Sequence, residues 1–256
     1  MIKSVHKAMR ILSVLSDSKG KPVKLSDISD TIGENKSTCS HILKTLEQDG
    51  YVEQVSHSKG YTLGPSSYCL TRYGKYNDDF VALSRPVLRY LHKHTEQTVI
   101  LAIIQNNTKF IIDYIDVEKR IFTEDANIRP DDIYRTATGR IMLANMDNRL
   151  VIELYEKLGN PGDDWTAVNS LETLQKELSR IDKRGVLRTV ATYDDECHIG
   201  YAAPIYRRGR CIAAVGVAIY CNTDEMDEIL NQRDEKIKLY LKKSANEITR
   251  RLNYSE

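Results

Sequence analysis

The stretch KSTCSHILK, residues 36–44, sets two kinds of side chain on two sides of one helix. Cys39, Ile42, Leu43 and Leu46 follow the i, i+3, i+4, i+7 spacing of a helical face that packs on a core. Lys36, Ser37, Thr38, Ser40, His41 and Lys44 point elsewhere. Short hydroxyls allow close approach to base edges or phosphates, a histidine can donate to either, and lysines supply charge to phosphates. A second group of reactive types, Asp194, Asp195, Glu196, Cys197 and His198, holds acids, a thiol and an imidazole side by side. Those residues could serve an enzyme, but no glycine-rich phosphate loop, G-x-S-x-G or H-E-x-x-H accompanies them. A metal site built from Cys197, His198, Cys211 and Cys221 is disfavoured, because neighbouring strand residues face opposite ways. No enzyme activity, cofactor or metal is expected.

The elements around the first stretch explain its polar end. Residues 4–18 place Val5, Ala8, Ile11, Leu12 and Leu15 on one face of an amphipathic helix, which Gly20 and Pro22 end. In KLSDISDTIG, Ser26 is placed to cap a short helix carrying Ile28 and Ile32, and Gly33 suits the left-handed residue past its end. Ser37 is placed to cap the third helix as well as to reach DNA. YVEQVS and GYTLG then read as two short strands joined by His57, Ser58 and Lys59. This order is the layout of a winged helix-turn-helix, whose third helix enters the major groove by its N-terminal residues. Ser26, Lys36, Ser37, Thr38, Ser40, His41, Lys44 and Lys59 are therefore the expected contacts to a double-stranded DNA operator.

Charge agrees with that division. Residues 1–75 hold 11 lysines and arginines against 7 acidic residues, whereas the remainder holds 26 against 29. A basic head on an acidic body suits a polyanion partner for the head alone. Five cysteines form no C-x-x-C pair and, being odd in number, make a poor disulfide framework. No apolar run approaches the ~20 residues of a membrane span, and the N-terminus lacks the apolar core of a secretory signal. A cytoplasmic protein with no membrane partner is expected.

Beyond a polar stretch at 65–79, a helix is expected from about Asp79 to His94, with Pro86 in its first turn or at a kink. QTVILAIIQNN and KFIIDYIDVE read as strands turning at Asn106-Asn107. YRTATGRIMLANM opens a helix on small residues, helices follow at 149–158 and 170–184, and strands return in VLRTVATY, YAAPIYRRG and RCIAAVGVAIY around an Arg208-Gly209 turn. A last helix runs from about Asp224 to Leu252. Strands in both halves with helices between and after them indicate an α+β sensor-like domain.

The whole chain resembles the IclR family of transcriptional regulators. SVHKAMRIL at 4–12 resembles the family's opening helix, and KSTCSHILKTLEQDGYVE at 36–53 with GYTLG at 60–64 its recognition helix and wing. RPVLRYLHKHTEQTVILAI at 85–103, TATGR at 136–140 and DDECHIGYAAPIY at 194–206 resemble landmarks of its GAF-like effector domain. The resemblance implies a winged helix-turn-helix domain at 1–65, a linker helix region at 66–84 and an effector-binding and oligomerisation domain with an antiparallel-rich sheet at 85–256. It also implies a homodimer or dimer of dimers, and a small-molecule effector, commonly an organic or aromatic acid. Thr136, Ala137, Gly139 and Met142 at the TATG helix, with Asp195, Gly200, Gly216 and Ala218, are the effector residues so implied. Backbone N–H groups at such a helix start attract a carboxylate. A side chain larger than hydrogen at residue 139 is expected to crowd the ligand's approach. The chain departs from the family in a shortened run before Ala202-Ala203-Pro204, and in having Gly216 and Ala218 where members often carry serine. Both changes remove polar groups and favour a ligand with a hydrocarbon or aromatic part.

Overall fold

Hydrophobic periodicity decides the elements, and burial decides which of their faces meet. The computed structural model describes residues 2–18, 20–56, 60–70, 78–116, 132–193 and 196–254. The chain divides into two compact units, residues 1–75 and 76–256.

In the first unit, α1 (Lys3–Asp17), α2 (Leu25–Ile32) and α3 (Lys36–Gln48) precede β1 (Val52–Ser56), β2 (Gly60–Leu63) and α4 (Pro65–Cys69). The apolar faces read from the sequence converge: Ile11 and Leu15 of α1, Ile28 and Ile32 of α2, Cys39 and Leu43 of α3 and Val52 of β1 form one core. In a core this small, truncating one fully buried leucine to alanine costs about 2–5 kcal/mol. Gly33 ends α2 at φ 67°, as expected. The antiparallel β1–β2 ribbon gains a third partner where the Val23 and Tyr61 backbones exchange two hydrogen bonds of 2.9 Å.

Both cap assignments differ from expectation. Helix α2 starts one residue before Ser26, with Lys24 in the capping position, and Ser26 Oγ bonds its neighbour Asp27 instead. Helix α3 is capped by Asn35, whose side-chain oxygen accepts from the Thr38 N–H at 2.7 Å; Ser37 lies inside the first turn. Asn is as good an N-cap as Ser, and here it is Asn35 that adopts the extended backbone (φ −73°, ψ 151°) a cap requires.

The second unit runs α5 (Asp78–Thr95), β3 (Thr98–Gln105), β4 (Thr108–Ile115), α6 (Asp132–Arg135), α7 (Ala137–Ala144), α8 (Asn148–Leu158), α9 (Leu171–Arg180), β5 (Leu187–Tyr193), β6 (Glu196–Arg207), β7 (Arg210–Asn222) and α10 (Met226–Tyr254). The strands form one antiparallel sheet in the order β4-β3-β7-β6-β5. The two expected hairpin turns are present, with left-handed backbones at Asn106 and Asn107 and at Arg208 and Gly209. Helix α5 carries Pro86 in its interior, and α9 ends at Arg180, short of the expected 184.

The two faces of this sheet differ in side-chain size. Val99, Leu101, Ile199, Tyr201, Val215 and Val217 project to the face that α5 and α10 cover, where Leu88, Leu91, Ile237, Leu241 and Ile248 complete the main core. The other face presents Ala102, Ala202 and Ala214, against which α7 sets Ala137, Ile141 and Met142. Small residues on both partners let the helix lie close to the sheet. A side core around Trp165 joins α6, α7, α8 and α9 through Ile133, Leu143, Leu154, Leu174 and Leu178.

Candidate nucleic-acid interface and effector site

Helix α3 separates its two roles as its spacing dictates. Cys39 and Leu43 are fully buried, and Ile42 and Leu46 are half-buried. Ser37, Ser40, His41 and Lys44, at i, i+3, i+4 and i+7, share an exposed face; Lys36 is exposed beside them and Thr38 is half-buried. Burial, then the Glu34 carboxylate, raise the Cys39 thiol above its ordinary pKa, so it behaves as an apolar core group. The entry to α3 is tied down twice, by the Asn35 cap and by an ion pair of 2.8 Å from Lys7 of α1 to Glu34 in the turn before α3. Ser26 sits half-buried on α2. Lys59 lies outside the described residues, between β1 and β2.

In the second unit the sequence-predicted effector residues gather where α7 crosses the sheet. Thr136 caps α7, its Oγ1 accepting from the Gly139 N–H at 3.3 Å. Ala137 lies over Gly200: a Cβ built on Gly200 would stand 3.4 Å from the Ala137 Cβ and 2.9 Å from Thr189 Oγ1. Thr138 lies over Gly216, where a Cβ would meet its methyl at 2.7 Å and the Tyr201 carbonyl at 3.0 Å. Gly216 is therefore buried beneath the helix, while Ala218, paired with Gly200 and Thr98, is half-exposed just beyond it. Met142 is buried further along α7 against Ala202 and Ala214. Asp195 lies outside the described residues.

Gly139 has a different task from the one expected. A Cβ there would stand 2.1 Å from the Ile133 carbonyl oxygen and 2.6 Å from its carbon. Backbone, not open pocket, fills that space, so the glycine is required for α6 and α7 to meet. The correction follows from the short α6, which no sequence periodicity announced.

Two groups near this site were not singled out from the sequence. Lys109 of β4 is buried at 4% exposure and, among its contacts, donates from Nζ to Thr136 Oγ1 at 2.9 Å. A lysine on an edge strand ordinarily reads as solvated; here its ammonium is turned in to the Thr136 hydroxyl at the start of α7. Thr98, beside Ala218, donates to Asp116 Oδ1 at 2.8 Å, and Asp116 Oδ2 is buried with no hydrogen-bond partner among the described residues. His198 and Tyr220, directly opposite on β6 and β7, pack edge to face with centroids 4.3 Å apart. The sheet surface past the start of α7 thus carries a helix N-terminus, a buried ammonium, a carboxylate, an imidazole and aromatic surface.

Two cavities lie elsewhere in this unit and contain none of the predicted effector residues. One, of about 250 Å³, is lined by Arg140, Trp165, Glu177 and Arg180; the other, of about 270 Å³, lies between α5 and α10 and is lined by Tyr90, Lys243, Ser244 and Arg251. Arg140 is held at the first by Trp165, 4.1 Å beneath its guanidinium, and by bonds of 2.6 Å to the Tyr134 and Asp164 carbonyls. Among the described residues, no helix is long and apolar enough to cross a membrane.

A helix-turn-helix unit followed by an α/β unit with an antiparallel sheet is the organisation of a transcriptional regulator. The sequence pattern of the IclR helix-turn-helix domain matches residues 4–56, and that of the bacterial transcriptional regulator IclR C-terminal domain matches residues 76–250. The chain belongs to the IclR family of transcriptional regulators. It is 24% identical over 258 residues to the HTH-type transcriptional regulator XynR of Escherichia coli, covering 99% of this chain and 98% of that protein. To the transcriptional repressor IclR of the same organism it is 22% identical over 199 residues, 77% of this chain and 70% of that one. Such relatives are repressors and regulators, not enzymes. An IclR transcriptional regulator from Alicyclobacillus acidocaldarius shares the fold with a TM-score of 0.72 at 21% identity, covering 99% of this chain and 100% of that one. A Microbacterium hydrocarbonoxydans homologue, solved in complex with 4-hydroxybenzoate, shares it with a TM-score of 0.69 at 17% identity, covering 97% and 98%.

Proposed function

We propose that this regulator binds a specific operator through α3 and the β1–β2 wing, and that a small organic acid bound at the start of α7 controls the binding. The exposed stripe Ser37, Ser40, His41 and Lys44 on a helix whose opposite face is fully buried carries the DNA reading. Lys36, Thr38, Ser26 and Lys59 complete the proposed contact set. The buried Lys109 ammonium at the capped start of α7 supports an anionic ligand, because it and the helix N-terminus add positive potential at one place. Thr136, Ala137, Gly200 and Ala218 form the proposed wall, with Gly216, Met142 and Gly139 holding α7 in position and Asp195 as a polar contact. A wall of glycine, alanine and aromatic rings favours an acid with an aromatic part, the class to which the 4-hydroxybenzoate bound by the Microbacterium homologue belongs.

Self-association is part of the proposal. Ile2, Val5 and Met9 stand exposed along one side of α1, and Tyr68 and Leu70 are exposed after the wing. Apolar surface of this kind marks an interface, and a dimer supplies the second head that a two-fold operator requires. The proposed organisation is a DNA-binding domain at 1–65, a linker helix region at 66–84 and an effector domain at 85–256, in the cytoplasm.

The test is binding of the purified protein to its own upstream DNA, followed by fluorescence anisotropy with and without a panel of organic and aromatic acids. Specific binding that one acid alters is expected. Affinity should also fall with salt, by about 0.9 log unit per log unit of salt for each phosphate neutralised, and Lys44→Ala in both heads should flatten that slope by roughly two units. An unchanged slope places Lys44 off the DNA, and indifference to every acid removes the effector reading.

A further inference from the structure

Two of the five cysteines face each other across the central hairpin of the sheet. Cys197 of β6 and Cys221 of β7 are directly opposed in the ladder, and the Cys221 thiol donates to the Cys197 carbonyl oxygen at 3.8 Å. Both point to the face that α10 covers, where Cys197 is fully buried in the main core and Cys221 is half-buried at its edge. The other three thiols are placed differently: Cys39 is buried in the first unit, Cys69 is exposed there, and Cys211 stands opposite Tyr206. Directly opposed residues of an antiparallel pair have Cα atoms about 4.5–5.5 Å apart. That range lies within the ~4.4–6.8 Å a disulfide spans.

We propose that Cys197 and Cys221 are a site of oxidative modification at which a peroxide joins the two sulfurs as a cross-strand disulfide. Cys221, the half-exposed member, reacts first. Its thiolate attacks one peroxide oxygen, the O–O bond breaks, and with hydrogen peroxide one water leaves. The resulting sulfenic acid is attacked by the Cys197 sulfur; the S–S bond forms, the S–O bond breaks, and a second water departs with the thiol proton. The two sulfurs together lose two electrons and the peroxide gains them. Cys197 is placed to act as the resolving thiol, because it stands directly opposite Cys221 in the ladder.

The surroundings set a threshold on this chemistry. Burial first, then the neighbouring Cys197 thiol and the Glu225 carboxylate, push the Cys221 thiol up to about 11. The thiolate fraction is therefore small at neutral pH and grows about tenfold per pH unit below that value, so the pair resists low peroxide and reacts under sustained oxidation. The bond requires Cβ atoms about 3.8 Å apart, closer than the ~4.5–5.5 Å of an ordinary opposed pair. Closure thus tightens the β6–β7 ladder, in which Gly200 and Ala218 are paired three residues along. The bond forms or fails to form whatever the effector is, so its test stands apart from the function proposed above.

The experiment uses the full chain carrying Cys69→Ser, which removes the exposed thiol and leaves four of the five. After hydrogen peroxide in mildly alkaline buffer the protein is denatured, alkylated and weighed. The expected result is a fall from four alkylated thiols to two, a peptide joining residues 197 and 221, and full recovery with dithiothreitol. Cys221→Ser, a substitution at a half-exposed position, should retain all its remaining thiols under the same exposure. A Cys197 that stays alkylatable while Cys221 is oxidised, or a bridge that maps to Cys211, overturns the proposal.

Discussion

Replacing Asn35 by alanine should loosen the recognition helix, whereas replacing Ser37 should not. Asn35 Oδ1 holds the Thr38 N–H at 2.7 Å, one of the four donors that a helix start leaves unsatisfied. Ser37 lies one position inside that turn, exposed, and its hydroxyl makes no hydrogen bond among the described residues. Loss of an asparagine cap costs about 1 kcal/mol, or about fivefold in the opening equilibrium of the first turn. Hydrogen exchange read by mass spectrometry on the full chain measures that opening directly, since amides exchange through local unfolding. Peptides from residues 36–48 of Asn35→Ala should lose about fivefold in protection, with peptides from the second unit unchanged as the internal reference. Ser37→Ala should remain within ~0.5 kcal/mol of wild type. Asn35→Asp should keep the protection, because the acceptor remains, yet weaken DNA binding by bringing a negative charge to the phosphates. Equal loosening by Ser37→Ala, or none by Asn35→Ala, would refute the placement of the cap.

Other perturbations separate packing from recognition. His41→Ala should weaken specific DNA binding at unchanged thermal stability, while Cys39→Asp should unfold the first unit by burying a charge at a fully enclosed position; a stability loss in both variants would mean that the two faces of α3 are misassigned. Gly139→Ala drives a methyl to 2.1 Å from a backbone carbonyl, so it should cost more than the ~1–3 kcal/mol of ordinary overpacking. The single tryptophan, Trp165, shares the side core with Ile133 and should report that loss; an effector defect at full stability would return Gly139 to the pocket. Burial of Asp234 opposes its charge, but hydrogen bonds from Lys238, Tyr201 and Arg188 outweigh it and hold its carboxyl below the ordinary value. A depressed folded-state pKa adds stability above the unfolded value and loses it as pH falls through the folded one. Asp234→Asn should therefore lower the melting temperature at pH 7, with a gap that narrows below about pH 4; a gap independent of pH would place the effect in packing alone.

The sequence by itself determined the elements and the faces of the head. Cys39, Ile42, Leu43 and Leu46 had to face inward because a 3.6-residue period leaves one stripe for the core, and the polar residues between them had to face out. It also determined the strands and both two-residue turns, since Asn106-Asn107 and Arg208-Gly209 tolerate the left-handed backbone such turns demand. It left open which of several capping residues takes the cap, because Asn35, Ser37 and Ser26 have similar propensities and the choice rests on where each helix begins. Only the tertiary structure decided the strand order β4-β3-β7-β6-β5, which carries α7 onto a face of alanine and glycine. That crossing set Thr138 on Gly216 and brought the Thr136 hydroxyl to the Lys109 ammonium, and the packing of α6 on α7 pressed Gly139 against Ile133. The opposition of Cys197 to Cys221 needed the one-residue shift between Ile205 and Tyr206 in the β6–β7 hairpin, because the turn alone would pair Cys197 with a neighbour of Cys221. Local periodicity fixes which way a side chain points; what it meets there depends on chain brought from far along the sequence.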